Sequence, residues 1–327
     1  MNNLFDSFNR VHNYLRISLT DECNFRCIYC TPEENVQSFS KQELMTSGEI
    51  FEIAKIFMDN GTSKIRLTGG EPLVRHDFAE IVEKLAQLPV ELTLTTNGIL
   101  LSRYVTLLKE CGIESVNISL DTLSRERFQS ITKRDVFHQV WENILLCIKE
   151  GFHIKLNVVV MKGINDDELP DFIALTQDMP VHVRFIEFMP FSGNDWEKNR
   201  VVNMEEMLAV IKKQFLVKKI QDLKHDTAKK YKVQDYSGTF AFITTMSQPF
   251  CNDCNRMRLT ADGKMKNCLF GKEKFDILGG LRKGEDIRPV ISKCLMRKRE
   301  KLGGLFDDYQ RVDFDYLEGM SMVKIGG

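Results

Sequence analysis

Three cysteines fall within eight residues, Cys23, Cys27 and Cys30, and three more within eighteen, Cys251, Cys254 and Cys268. The remaining three of the nine, Cys111, Cys147 and Cys294, stand alone at apolar helix positions and read as core packing. Three thiolates in a tight loop suit iron–sulfur chemistry, but electron-carrier clusters take four. A cluster held by three protein ligands leaves one iron open to a small molecule, as a catalytic zinc keeps an open position where a structural one is closed. A structural zinc is the alternative for each trio. For the second trio no fourth ligand is evident in the chain, because His225 is remote and no histidine follows it.

A second set of chemistry-bearing residues is basic. Arg16, Arg66 and Arg184 lie on or beside apolar runs that read as strands, and Arg256 and Arg258 follow the second cysteine pair. Each alone reads as a solvated residue or an ion-pair partner. Converging, they would present fixed forks of donors that match phosphate oxygens, and so predict a polyanionic substrate.

The elements that must position these groups form a βα series. Strands are expected at Leu15–Leu19, Lys64–Thr68, Glu91–Thr95, Ser115–Leu120, Ile154–Val160 and Val181–Phe188. Between them run amphipathic helices with the 3.6-residue period: Ile50, Ile53, Ala54 and Phe57 after a Ser47 cap; Phe78, Ile81, Val82 and Leu85 after Asp77; Tyr104, Leu107, Leu108 and Cys111 after Ser102. Asp166 and Asp167 read as a further cap. Six such units predict an α/β fold, a partial (β/α)6 TIM-like barrel. Every unusual segment follows a strand end: the Cys23–Cys30 loop, Gly69-Gly70-Glu71-Pro72, Thr95-Thr96-Asn97-Gly98, Ser119-Leu120-Asp121 and Glu187-Phe188-Met189-Pro190. They should meet at one mouth, where barrels of this kind carry their active sites.

After about residue 225 the pattern changes. A strand at Thr239–Thr245, a hairpin turning at Ala261-Asp262-Gly263 and a mostly helical stretch over Lys272–Leu302 predict a C-terminal α+β extension covering the open side. The segment Lys218–Gln234 gives no clear pattern. This divides the chain into a barrel, residues 1–225, and a C-terminal region, residues 226–327.

The 45 basic and 46 acidic residues balance, so no global field draws the protein to nucleic acid. No apolar run is long enough to span a membrane and the first twenty residues carry no secretory pattern, which leads us to expect a cytoplasmic protein with reduced thiols.

The run Asp21-Glu22-Cys23-Asn24-Phe25-Arg26-Cys27-Ile28-Tyr29-Cys30, followed by Gly69-Gly70-Glu71-Pro72, resembles the radical S-adenosylmethionine (SAM) superfamily. With Phe250–Gly263 and Cys268 added, the pattern is similar to the GTP 3′,8-cyclase family of molybdenum cofactor biosynthesis over essentially the whole chain. Thr31 and His76 depart from the family's usual residues. The resemblance implies two [4Fe-4S] clusters, on Cys23, Cys27 and Cys30 and on Cys251, Cys254 and Cys268, with SAM on the open iron of the first and the guanine of GTP on that of the second. It implies SAM contacts at Tyr29, Gly70, Ser119 and Met189, and GTP contacts at Arg16, Arg66, Thr95, Lys155, Arg184, Arg256 and Arg258. It further implies catalytic roles for Arg256, Arg258 and the terminal Gly326-Gly327. The implied reaction is a lyase step, conversion of GTP to (8S)-3′,8-cyclo-7,8-dihydroguanosine 5′-triphosphate by a SAM-derived radical. The implied partners are a small electron-transfer protein as reductant, a downstream pyranopterin monophosphate synthase and a second copy of the chain in a homodimer. The alternatives are another radical SAM enzyme with an auxiliary cluster, such as a peptide-modifying one, and a non-enzymatic protein using its metals for folding or electron transfer.

Overall fold

The structure is a computed structural model that describes residues 3–30, 38–194, 196–304 and 321–326. The βα series runs β1 (Tyr14–Ser18), α1 (Ser47–Asp59), β2 (Lys64–Thr68), α2 (Phe78–Leu85), β3 (Glu91–Thr96), α3 (Val105–Glu110), β4 (Ser115–Ser119), α4 (Arg125–Thr132), α5 (Phe137–Lys149), β5 (His153–Val160), α6 (Leu169–Leu175) and β6 (His182–Glu187). There follow α7 (Met204–Lys212), β7 (Val217–Lys219), β8 (Lys229–Val233), β9 (Thr239–Ile243), β10 (Arg256–Leu259), β11 (Lys264–Lys266), β12 (Phe275–Asp276), α8 (Leu278–Arg282), α9 (Arg288–Met296) and α10 (Met322–Ile325).

Strands β1 to β6 pair in order and in parallel, as the six βα units require. The later part of the chain does more than cover their open side: β9 pairs in parallel with β6, and β10 with β1. Eight parallel strands result, but the barrel does not close. The outer edge of β9 is taken by antiparallel β8 and that of β10 by antiparallel β11, so their backbone groups are already paired. Residues 244–255 cross this gap, and they carry Cys251 and Cys254. The boundary expected at residue 225 lies between β7 and β8, an antiparallel pair in the same sheet. That pair orders much of the segment the sequence left without a pattern.

The strands alternate in a way that explains the whole architecture. Leu15, Ile17, Ile65, Leu67, Leu94, Val116 and Ile118 point outward and are wholly buried. The helices come down on them through stripes such as Ile50, Ile53, Ala54 and Phe57 of α1, each also at zero exposure. The intervening residues point inward and are mostly polar or basic.

Local details differ from expectation at helix starts. The capping residue of α1 is Thr46, whose hydroxyl takes the Glu49 N–H while Glu49 returns to the Thr46 N–H; Ser47 instead donates to Glu80. Asp77 precedes α2 but its carboxylate is engaged by Arg75. Ser102 lies within a 3-10 turn, and Asp166 and Asp167 bind Gly163 and Arg127 rather than capping α6. The stretch 272–302 includes the short strand β12 before its helices. Cys147 and Cys294 are buried in the core and Cys111 packs partly buried against it, as expected.

Candidate functional site

Both cysteine trios and the inward-facing strand residues line one cavity of about 530 Å³, within the range of small-molecule sites. The first trio sits in the loop after β1. That loop is pinned from outside: Arg26 and Ile28 donate their N–H groups to the carbonyls of Thr132 and Ile131 at the end of α4, and Phe25 meets Phe128 edge to face at 5.8 Å. From inside, the Asn97 amide donates to Asn24 at 2.6 Å. Within the loop the Phe25 N–H points at Cys23 Sγ, 3.4 Å away. Burial raises the Cys27 thiol well above its ordinary range, and the nearby Asp121, Cys30 and Cys23 raise it further.

The glycine turn after β2 locks to the same loop by close backbone approach. Gly70 donates to Thr20 and Glu71 to Glu22, at 2.7 and 2.8 Å. A Cβ on Gly70 would stand 2.3 Å from the Glu22 carbonyl oxygen, so only glycine fits. Tyr29, Ser119 and Met189 line the same end. A side chain missed in the sequence joins two of them: Asn194 donates to the carbonyls of both Tyr29, at 3.1 Å, and Met189, at 2.9 Å. Asp121, from the Ser119-Leu120-Asp121 segment, is a buried carboxylate that accepts from the Val159 N–H and the Tyr29 hydroxyl; burial pushes it up to about 6.

Further down, register places the cations on one inner face. Arg16 of β1 stands level with Arg66 of β2 and with Arg258 of β10, and Asn157 of β5 with Arg184 of β6. Arg66 donates to the Tyr14 hydroxyl and, at 3.4 Å, to Thr95. Burial, opposed by Arg66 and Arg16, leaves Tyr14 at about 8. Lys155 is held down to about 8 by burial and by Arg184 and Arg66, Arg184 to about 9 by burial and Arg66, and Arg258 to about 10 by burial and Arg256. Lys64, two residues before Arg66 and therefore on the same face, also lines the cavity, but it is partly exposed and its ammonium is paired with Glu91 at 2.6 Å; strand parity alone could have found it. Buried like charges are costly when nothing opposes them. Arg184 Nε and Nη2 and the Oδ1 atoms of Asn117 and Asn157 are buried without a partner among the described residues. Such a site asks for a polyanion with further polar groups.

The second trio lies at the gap between β9 and β10, with Cys268 after β11. Burial would raise Cys254, but Arg256 and Lys298 hold it at about 6. Arg256 itself lies over the Phe250 ring at 4.6 Å. His225, remote in sequence, comes to this loop and its Nδ1 lies 2.8 Å from the Asp253 carbonyl. Gly326, in a left-handed conformation between Ser18 and Thr68, accepts from Arg258 at 2.5 Å; Gly327 and Thr31 lie outside the described residues. Among the described residues no three His, Cys, Asp or Glu side chains are gathered for a single metal ion, and none of the helices is long and apolar enough to cross a membrane.

A three-thiol loop after β1, a glycine turn after β2 and an open parallel barrel together define the radical SAM class of fold. The radical SAM superfamily profile matches residues 17–176 and that of Molybdenum Cofactor Synthesis C residues 181–303. The GTP 3′,8-cyclase of Desulforamulus reducens is 40% identical over 90% of this chain and 94% of its own length, and the mitochondrial GTP 3′,8-cyclase of Arabidopsis thaliana is 44% identical over 99% and 83%. The molybdenum cofactor biosynthesis protein 1 of Bos taurus is 46% identical over 93% of this chain and 49% of that relative. The structure of Streptococcus suis SuiB bound to S-adenosylmethionine shares the fold, with TM-score 0.61 at 16% identity over 89% of this chain and 70% of that one. The chain belongs to the GTP 3′,8-cyclase family of the radical SAM superfamily, whose members work with SAM and an iron–sulfur cluster. It spans about half the length of the animal relatives it matches.

Proposed function

We propose that the protein is a GTP 3′,8-cyclase, producing (8S)-3′,8-cyclo-7,8-dihydroguanosine 5′-triphosphate for molybdenum cofactor biosynthesis. The observation that carries this reading is the placement of two open three-thiol sets at opposite ends of one cavity whose walls between them are lined with buried cations. In this reading Cys23, Cys27 and Cys30 hold one [4Fe-4S] cluster and Cys251, Cys254 and Cys268 a second. Bound together, the first cluster and SAM would supply one-electron chemistry that removes a hydrogen from the substrate's ribose.

The chain's own residues do the rest. Gly70, Tyr29, Ser119 and Met189 orient SAM, with Asn194 fixing the backbones of two of them. Arg16, Arg66, Lys155 and Arg184 take the triphosphate, exchanging mutual repulsion for charge-assisted hydrogen bonds. Thr95 adds a hydroxyl beside Arg66. Arg256 and Arg258, with Gly326 held by Arg258, line the substrate's approach to the second cluster. The walls exclude water from the reacting carbon. A small electron-transfer protein as reductant, a pyranopterin monophosphate synthase as consumer of the product and a homodimer complete the proposal. The peptide-modifying alternative is not favoured, because the profile over residues 181–303 is that of molybdenum cofactor synthesis.

The experiment is anaerobic: reconstitute the iron–sulfur clusters, reduce, add SAM, and quantify 5′-deoxyadenosine with and without GTP. GTP-stimulated deoxyadenosine formed in step with GTP loss supports the reading. Deoxyadenosine that ignores GTP overturns the substrate, and none from protein with verified clusters overturns the chemistry.

A further inference from the structure

Lys298, two residues past the end of α9, is only 4% exposed and forms no ion pair with a carboxylate among the described residues. A buried ammonium without compensation costs several kcal/mol, so its partners matter. They are two acceptors in the second cysteine region: Cys254 Sγ at 3.4 Å and the Arg256 carbonyl at 3.1 Å. Four residues on, the Leu302 N–H points at Cys251 Sγ, also 3.4 Å away. One short strap, residues 298–302, therefore sends donors to two of the three thiols.

The strap is itself held from the far end of the chain. Arg10 donates to the carbonyls of Arg299 and Glu300 at 3.0 and 2.8 Å and to that of Cys251 at 2.8 Å, while Asp6 fixes the same guanidinium at 2.6 Å. Three contacts to backbone carbonyls on both the strap and the cysteine loop hold the two in fixed register. Hydrogen bonds to a cluster's sulfur ligands, and positive charge beside them, favour its reduced form.

We propose that Lys298 is a positioning residue for the second cluster, donating to the Cys254 sulfur and raising that cluster's reduction potential. The inference rests on the two-cluster reading above. In the full chain carrying Cys23→Ser, Cys27→Ser and Cys30→Ser, the second cluster is the only one that reading leaves, and iron and sulfide analysis after reconstitution tests it first. Midpoint potentials are then measured by dye-mediated dithionite titration followed by EPR, in that background and with Lys298→Met, Lys298→Gln and Lys298→Arg added. The neutral variants should disfavour reduction at least tenfold, about 59 mV for a one-electron couple, and should lose iron to a chelator at least tenfold faster. Lys298→Arg should stay within threefold of the background on both readouts. Lys298→Gln keeps a polar head and reads the same effect should Lys298→Met not fold. An unchanged potential in a folded neutral variant overturns the role of Lys298 and leaves the second cluster standing. Absence of bound iron from the background protein overturns both.

Discussion

The carboxylate of Glu71 accepts the Asn97 backbone N–H at 2.6 Å, joining the turn after β2 to the end of β3. It also takes the Thr96 hydroxyl at 2.7 Å and the Leu73 N–H at 3.0 Å, all out of contact with water. Burial outweighs these bonds and pushes Glu71 up to about 7. A carboxyl whose folded value lies above its unfolded 4.5 stabilises the fold fully below that value and ceases to do so as pH rises through 7. Cluster-free protein should therefore lose about 2 to 3 kcal/mol of stability from this group between pH 5 and pH 8. Urea unfolding of Glu71→Gln should show a flatter pH profile over this range; an unchanged slope would mean the group titrates elsewhere.

Gly70→Ala should act on the first cysteine loop rather than on the core. The added methyl would meet the Glu22 carbonyl oxygen at 2.3 Å and its carbon at 2.7 Å, backbone atoms that cannot rotate away. Overpacking of this kind costs about 1–3 kcal/mol. The expected outcome is a folded protein that retains less iron and cleaves SAM poorly. Iron analysis beside far-UV circular dichroism checks it, and full iron occupancy would contradict the reading.

Removing one buried cation should separate binding from stability. If the proposed function holds, Arg184→Met removes a charge-assisted phosphate contact, about 1.5–3 kcal/mol, so GTP should bind roughly 10- to 100-fold more weakly. The same change relieves repulsion with Lys155 and Arg66, so the ligand-free protein should melt higher than the parent. Calorimetry with GTP and thermal melts without it read the two effects. A lower melting point would show that Arg184 has an internal partner.

Cys268→Ser should uncouple the two halves of the chemistry. The first trio is untouched, so SAM cleavage should persist in part while GTP consumption falls to background. Deoxyadenosine and GTP measured in the same reaction decide it, and full GTP turnover would remove the second trio from the mechanism.

His12 provides a pH effect of opposite sign. It is fully buried with its Nε2 3.0 Å from Asp6, and burial, with Lys298 nearby, lowers it to about 4. A histidine depressed from 6.5 stabilises the fold above 6.5 and loses that contribution as pH falls toward 4, about 2 kcal/mol by pH 5. Denaturant unfolding of His12→Gln should be less acid-sensitive than that of the parent over this window.

Much of this was legible from residue types at short range. The spacing of Cys23, Cys27 and Cys30 puts three thiols in one short loop, which is what makes them a candidate ligand set from the sequence alone. The period-2 alternation around Arg66 places it on the polar face of its strand, and the stripe Ile50, Ile53, Ala54 and Phe57 declares the helix that covers the other. These are properties of a few consecutive residues and of the pleat and helix periods that the backbone imposes.

What tertiary structure decided is long-range and competitive. Whether the barrel closes depended on what pairs with its two open edges, and β8 and β11 occupy them, leaving a gap that the segment with Cys251 and Cys254 crosses. Which cation faces which depended on register between strands far apart in sequence, so Arg16 and Arg258 meet across 242 residues. Lys298, Asn194 and His225 carry no local signal, because their value lies in the distant backbone or sulfur atoms they reach. Sequence determined the thiols and the faces; the pairing of strand edges determined that they share one cavity, since hydrogen-bond partners between remote segments are chosen only when the whole sheet forms.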